Sequence, residues 1–283
     1  MRFAFFPGCK VPYHVPHYET AARRVLNEFA VALEPLEFNC CGYPIRFLDF
    51  KAFLLSSARN LALAGRSGLP LLCLCKCCYG TLRYADQLLK NNGTLLAEIN
   101  RRLGEEGLRY PERIEIKHLL NVLYEVIDPE TIHKKVVRPL KKIKAAAHYG
   151  CHILRPHDVV DFDDPVNPGK FETLIKYTGA ESVDWVLRRQ CCGDPLWEKN
   201  NELSLALANK KLLNARQAGA NLLCVGCTHC QMQFERVQAH RGPGAEDGPD
   251  MSILLYPQLL GWSLGLEGAH LGIPPGVLER YSE

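Results

Sequence analysis

Long uninterrupted apolar runs are absent from this 283-residue chain. The most apolar long window, Leu61 to Cys75, is broken by Arg66, Gly68 and Pro70, so it predicts no membrane span. The opening MRFAFFPGC has one Arg, an apolar stretch too short for a secretion signal, and no small-residue cleavage site after it. Runs of like charge are also missing. The formal net charge is +3 and Lys and Arg form no block, which argues against a nucleic-acid or polyanion partner. With no export signal, the expected location is cytoplasmic, where thiols are kept reduced.

Cysteine, by contrast, is abundant. The chain holds 13, an odd number, and it is too long to need a disulfide framework in place of a core. With 47% hydrophobic residues it can bury the core of one large domain or two medium ones. Many cysteines in a chain of this kind point to metal binding or redox chemistry. The window LCLCKCCYGTL crowds Cys73, Cys75, Cys77 and Cys78 together, and the rest of the chain indicates which of them belong to a pattern.

That pattern is an internal repeat. The first half has PGC at Cys9, NCCGYP at Cys40 and Cys41, and CKCC from Cys75 to Cys78. The second half has YGC at Cys151, QCCGDP at Cys191 and Cys192, and CTHC from Cys227 to Cys230. The intervals are 10–39 and 42–74 in the first copy, 152–190 and 193–226 in the second. Each copy therefore reads C, a long gap, C-C-G-x-P, a second long gap, C-x-x-C. Cys73, Cys77 and Cys224 fall outside it and read as small buried residues.

Short apolar runs precede each lone Cys and each C-x-x-C: RFAFF, PLLCL, IKAAAH and NLLCV. These predict buried strands. Helical patterns follow each C-x-x-C and run through YETAARRVLNEFAVAL, FKAFLLSSARNLALAG, GKFETLIKYTG and ELSLALANKKLLNARQAG. The last three end at Gly, as a helix C-terminus often does, and Asn167-Pro168 offers an N-cap followed by Pro. The alternation predicts an α/β fold of two pseudo-symmetric halves, each a small, mostly parallel sheet flanked by helices. The expected divisions are 1–90 for the first half, 91–142 for a helical connecting segment, 143–240 for the second half, and 241–283 for a loop and tail packing on the second half. The Gly-, Pro- and acid-rich tract 241–250 predicts a flexible surface loop. The cysteines then fall at strand C-termini and helix N-termini, where open α/β sheets bind ligands and where thiolates are favoured.

Each copy supplies five cysteines, not the four of a structural zinc site, and only one C-x-x-C pair. Adjacent cysteines suit a polynuclear centre in which each sulfur reaches a different iron. The residues favour iron–sulfur, with zinc next, and leave thiol redox chemistry or inert core cysteines open.

The doubled motif, together with HYGCHILRP, FDDPVNP and QCCGDPL, resembles the cysteine-rich CCG domain, and most of all the HdrB family of heterodisulfide reductase subunits, over essentially the whole chain. The resemblance implies two noncubane 4Fe–4S clusters. One would be held by Cys9, Cys40, Cys41, Cys75 and Cys78, the other by Cys151, Cys191, Cys192, Cys227 and Cys230. It implies two-electron reduction of a disulfide, such as that of coenzymes M and B, to two thiols. It also implies partners: a ferredoxin-like iron–sulfur subunit, and an FAD- and iron–sulfur-containing flavoprotein of the kind found in electron-bifurcating complexes of anaerobic metabolism. This sequence has no ferredoxin or flavin fingerprint of its own.

His148 and His152 flank Cys151. His152 is the candidate for proton delivery to a product thiolate; for His148, hydrogen bonding to cluster sulfur or backbone is the favoured reading. Lys10, Arg46 and Arg155 lie close to ligand cysteines and are candidates for binding an anionic substrate, with surface charge or tuning of cluster potential as an equal alternative for each. FDDPVNP reads as a turn with helix-capping groups, not as an acidic metal site. Besides disulfide reduction, two roles stay in play: electron relay beside a succinate, glycolate or lactate oxidoreductase, and a zinc-stabilised binding module without redox activity.

Overall fold

The computed structural model describes residues 1–241 and 251–281; most of the tract expected to form a flexible loop lies outside the described residues. Among the described residues, eight strands form two sheets. The first contains β1 (Arg2–Phe6), β2 (Ala32–Pro35), β3 (Leu71–Cys73) and β4 (Ile116–His118). The second contains β5 (Lys144–His148), β6 (Glu181–Val183), β7 (Leu222–Val225) and β8 (Ser252–Leu255). The strand orders are β2-β1-β3-β4 and β6-β5-β7-β8, and every pairing is parallel. The chain thus repeats one α/β unit, as the alternation of strand and helix patterns predicts.

The central strands are the ones the sequence marks. β3 and β7 are buried along their whole length, because crossover helices cover both faces of a parallel sheet. The edge strands escape pattern reading. The helix expected to run to Leu33 ends at Glu28; Ala30 takes a positive φ of 53° and the chain turns into β2. The segment expected to connect the halves contains several helical stretches, yet β4 lies within it and forms the edge of the first sheet. The tail adds β8 to the second sheet. Its next helix, Tyr256–Ser263, packs on helix Pro16–Glu28 of the first half, so the tail joins both halves. Buried residues of the two halves form one continuous core.

Helix ends follow local chemistry. Asp49 caps helix Phe50–Arg66 by accepting from the Ala52 N–H. That helix passes the expected end at Gly65, and the chain turns at Gly68, φ 67°. Helices Lys170–Tyr177 and Asn201–Gln217 close at Gly179 and Gly219, both with positive φ. Asn167 is not an N-cap. Instead Asp163 accepts from the N–H groups of Gly169 and Lys170, at 2.9 and 2.8 Å, at the start of helix Lys170–Tyr177. Asp164 accepts from Val166 and Asn167. The two acids of FDDPVNP therefore build a turn and a helix start.

Strand order reverses between β1 and β3, and again between β5 and β7. Cys9 and Cys75 follow β1 and β3; Cys151 and Cys227 follow β5 and β7. Each copy of the motif thus opens on the topological switch point of its own sheet, the crevice in which α/β sheets hold ligands.

Two glycines separate backbone strain from crowding. Gly193, in the second C-C-G-x-P turn, has φ 90°, and a Cβ there would lie 2.7 Å from the Ser204 carbonyl oxygen; Gly68 has φ 67° with open space around it. Gly68→Ala should cost about 1 kcal/mol for the left-handed conformation alone, and Gly193→Ala more than about 2 kcal/mol because backbone must also move. Chemical denaturation of the two variants checks the order; a milder effect at Gly193 would contradict the contact.

Candidate metal centre

In the first half, four elements converge at the switch point. Gly8, φ 84°, turns the chain after β1 so that Cys9 faces the site, and a Cβ at Gly8 would fall 2.9 Å from Cys78 Sγ. The Cys40–Cys41 loop is laced to helix Phe50–Arg66: Ser56 Oγ donates to the Cys40 carbonyl, Ser57 Oγ to that of Cys41, and Asn60 Nδ2 to those of Asn39 and Cys40. Cys75 is the N-cap residue of helix Lys76–Asn91 and Cys78 sits in its first turn. The sulfurs form an unbroken series. Cys9 Sγ is 3.8 Å from Cys40 Sγ; Cys40 meets Cys41, Cys41 meets Cys78, and Cys78 meets Cys75.

The second half repeats the series as Cys151, Cys191, Cys192, Cys230 and Cys227. Gly42 and Gly193 each donate a backbone N–H to the first sulfur of their pair, at 3.5 and 3.4 Å. Tyr149 fixes the turn before Cys151. Its hydroxyl donates to Glu172 at 2.5 Å and accepts from the Phe171 N–H.

So many thiols in contact cannot ionise independently. Cys40 is held well below the usual thiol range by hydrogen bonds from Cys41 and Cys9; Cys191 is held low in the same way by Cys151 and Cys192. Cys9, Cys41, Cys151 and Cys192 are pushed up, first by those same partners. A positive centre among the sulfurs would remove that conflict, since a coordinated thiol is deprotonated. Two further features fit a soft polynuclear centre. The cysteine donors are all sulfur, which favours iron–sulfur clusters, zinc or copper(I) over hard cations. And the buried His148 has no partner on either ring nitrogen among the described residues, yet one of them lies with Cys192 and Cys230 Sγ in a group no wider than 4.8 Å.

The two sets of sulfurs meet. Cys75 and Cys77 of the first half and Cys227 of the second lie within 4.8 Å of one another. Lys76, fully buried, crosses the same boundary: its ammonium donates to the carbonyls of His148 and Tyr149 at 3.1 and 3.0 Å and lies 4.9 Å from the centre of the Phe171 ring. Burial lowers its pKa, opposed by the thiols of the second half, Cys230 first. Beside this junction a cavity of about 470 Å³ is lined by Lys10, Tyr43, Cys77, Cys191, His152 and His229, among others. A second cavity of about 430 Å³ shares Tyr43, Cys77 and His152 and adds Arg46 and Arg155 with Phe50, Phe53 and Tyr84. The candidates for anion binding are thus divided, Lys10 in one cavity and the two arginines in the other. The Arg46 guanidinium lies 4.5 Å from the centre of the Phe47 ring, and its buried Nε has no hydrogen-bond partner among the described residues.

His152 lines both cavities, with Nδ1 2.9 Å from Cys77 Sγ. Cys77 is therefore buried but faces the cavities, whereas Cys73 and Cys224 lie inside β3 and β7. Sequence reading overlooked His229 and Asp194. His229 Nδ1 is 2.5 Å from Asp194 Oδ2; burial opposes its charge, but the bond to Asp194 and the nearby Cys75 and Cys227 sulfurs raise its pKa to about 9. A signal for both residues existed. His229 occupies the place of Cys77 in C-x-x-C, and Asp194 that of Tyr43 in C-C-G-x-P, so both are differences inside an otherwise repeated motif.

The model of the CCG cysteine-rich domain matches residues 3–83 and 145–235. The HdrB subunit of a ferredoxin/F420H2-dependent CoB–CoM heterodisulfide reductase from Methanosarcina acetivorans is 33% identical, covering 99% of this chain and 94% of that protein. A protein named 8-methylmenaquinol:fumarate reductase membrane anchor subunit, from Wolinella succinogenes, is 30% identical over 98% of this chain and 97% of its own. Among the described residues no helix is long and apolar enough to cross a membrane. A crystal structure of a hypothetical protein from Helicobacter pylori shares the fold, with a TM-score of 0.76 and 20% identity over 96% of this chain; the chain spans half the length of that protein.

Removing the Lys76 ammonium strands two buried carbonyls. Lys76→Met should therefore lower stability by about 1–3 kcal/mol, while Lys10→Met, at a partly exposed position, should stay within about 0.5 kcal/mol. Thermal denaturation distinguishes them; equal effects would mean that the buried lysine does not hold the halves together.

Proposed function

Because this chain belongs to the HdrB family of heterodisulfide reductase subunits, with its duplicated cysteine-rich CCG domain, we propose that it is the disulfide-reducing subunit of a multi-subunit oxidoreductase. Cys9, Cys40, Cys41, Cys75 and Cys78 hold one noncubane 4Fe–4S cluster, and Cys151, Cys191, Cys192, Cys227 and Cys230 hold the other. The observation that carries this reading is the junction itself: two five-sulfur sets that approach at Cys75 and Cys227, with Cys77 beside them, next to a cavity common to both halves. When bound, the clusters supply single electrons and iron sites able to take up sulfur.

The reaction consumes two electrons and two protons per disulfide and yields two thiols, and the chain's own residues supply what the electrons cannot. His152, at the meeting of the two cavities, delivers a proton to a product thiolate. His229, paired with Asp194, presents a second N–H donor to the same space. Lys10 holds the anionic end of one substrate arm; Arg46 and Arg155 hold that of the other, with Phe50, Phe53 and Tyr84 covering its apolar stem. Electrons arrive from a ferredoxin-like iron–sulfur subunit, itself fed by an FAD- and iron–sulfur-containing flavoprotein, in the cytoplasm. The resemblance to a fumarate reductase subunit supports a second reading, in which the same clusters relay electrons and no disulfide binds.

Protein purified without oxygen should carry about eight irons and eight sulfides, two 4Fe–4S complements. Cys73→Ser, Cys77→Ser and Cys224→Ser should leave that content nearly unchanged. Iron near half that value would mean one empty half, and zinc without sulfide would remove the reading in favour of a zinc-stabilised module. Loss of a cluster from Cys77→Ser would show that Cys77 takes a ligand position.

Removal of either set, by Cys41→Ser or Cys192→Ser, should abolish disulfide reduction outright, because residues acting as a unit are not additive. Candidate disulfides added under reducing conditions should produce an EPR signal that needs both sets. Turnover surviving the loss of one set, or clusters indifferent to every disulfide, would favour the relay.

A further inference from the structure

The two halves repeat one motif, but the residue three positions before its first cysteine differs: Phe6 stands before Cys9, and His148 before Cys151. Both end the first strand of their sheet and both are buried. Phe6 closes its site with an apolar ring; its Cε1 is 3.9 Å from where a Cβ on Gly8 would stand. His148 brings two ring nitrogens to the equivalent place.

Those nitrogens have nowhere else to go. The ring lies 5.0 Å from that of Phe234, edge to face, and 6.3 Å from Trp185. Neither nitrogen has a hydrogen-bond partner among the described residues, although a buried polar atom without one is costly and rare. The backbone does not claim them either. The His148 carbonyl is taken by Lys76, and the ring faces the sulfurs. One nitrogen lies within 4.8 Å of both Cys192 and Cys230 Sγ. Gly150, φ 71°, leaves open the gap between Nε2 and Cys230: a Cβ there would stand 3.5 Å from each. A neutral imidazole in this place offers one N–H and one lone pair.

We propose that His148 donates an N–H···S hydrogen bond to the iron–sulfur centre of the second half, and that the two otherwise repeated centres are thereby made unequal. This rests on the reading that both cysteine sets hold clusters. Five cysteines already complete the second set, so the imidazole acts as a donor to sulfur and positions no substrate. Such a bond withdraws electron density from sulfur and stabilises the reduced centre. The second centre is then the easier one to reduce, and Phe6 leaves the first without that bond. For a two-electron reaction fed one electron at a time, this inequality sets where the first electron rests.

The test uses the assembled, cluster-loaded complex containing ¹⁵N-histidine, with pulsed EPR and redox titration of the wild type, His148→Phe and His148→Gln. The expected result is a histidine-nitrogen coupling at one centre only, lost in His148→Phe, with a fall in the potential of that centre and none at the other. His148→Gln, which keeps an N–H donor, should lose the coupling but retain most of the potential. If His148→Phe does not assemble, His148→Gln decides through the coupling. Coupling and both potentials unchanged by substitution would overturn the inference while leaving the proposed function standing. Absence of any iron–sulfur signal in the wild type would overturn both.

Discussion

Five thiol sulfurs cannot crowd into one site as independent thiolates, and much of this fold is arranged around that conflict. Within each half the cysteines press on one another so strongly that one sulfur of the adjacent pair is driven toward the thiolate and its neighbours away from it. A metal centre resolves the repulsion only if the sulfurs are already held, since flexible loops would separate them. The holding is done by backbone and small side chains. Glycines with positive φ turn the chain at Gly8, Gly42, Gly150 and Gly193. Ser56, Ser57 and Asn60 grip the carbonyls of one C-C-G-x-P turn, and the Ser204 hydroxyl donates to the Gly193 carbonyl in the other. These glycines and hydroxyls leave room that a larger group would fill.

Duplication then places two such sites together. The C-x-x-C turns of both halves face each other, so Cys75, Cys77 and Cys227 share a junction. The lysine inside CKCC reaches across it to bind carbonyls beside the opposite set. A buried ammonium there opposes the negative charge that the sulfurs accumulate. Away from the site, the helix Tyr256–Ser263 of the tail packs at Gly261 against Val25 of the first half. Inter-half geometry is thus determined at both the site and the core, which suits chemistry that requires two centres to act on one bond.

The repeat is informative where it fails. Lys10 answers to His152, Tyr43 to Asp194, Cys77 to His229 and Phe6 to His148. In each pair the first half carries the less basic or less polar choice except at Lys10, and each second-half residue is a histidine or its carboxylate partner. The polar differences therefore fall on the second half: His152, His229 and Asp194 line the cavity, and His148 lies buried beside Cys192 and Cys230. Under the proposed function, the two cavities would take the two arms of an unsymmetrical disulfide.

Much of this was legible in the sequence because it is local. The strands β1, β3, β5 and β7 announce themselves as apolar runs before cysteines, and the doubled motif singles out ten sulfurs that form one contact series in each half. The edge strands β2, β4, β6 and β8 were not legible. Three or four residues carry too little periodicity to be told from a helix end or a loop, and a strand at a sheet edge is selected by the neighbour it pairs with. The same holds for the site. Composition and spacing single out the cysteines, but a motif does not say which of its intervening residues face a cavity. Only tertiary packing decided that Lys76 crosses to the other half, that His229 meets Asp194, that Cys77 faces His152 while Cys73 and Cys224 stay in the core, and that His148 is left without a protein partner. Those outcomes depend on contacts between residues far apart in the chain, where each side chain's role is determined by what the other half presents to it.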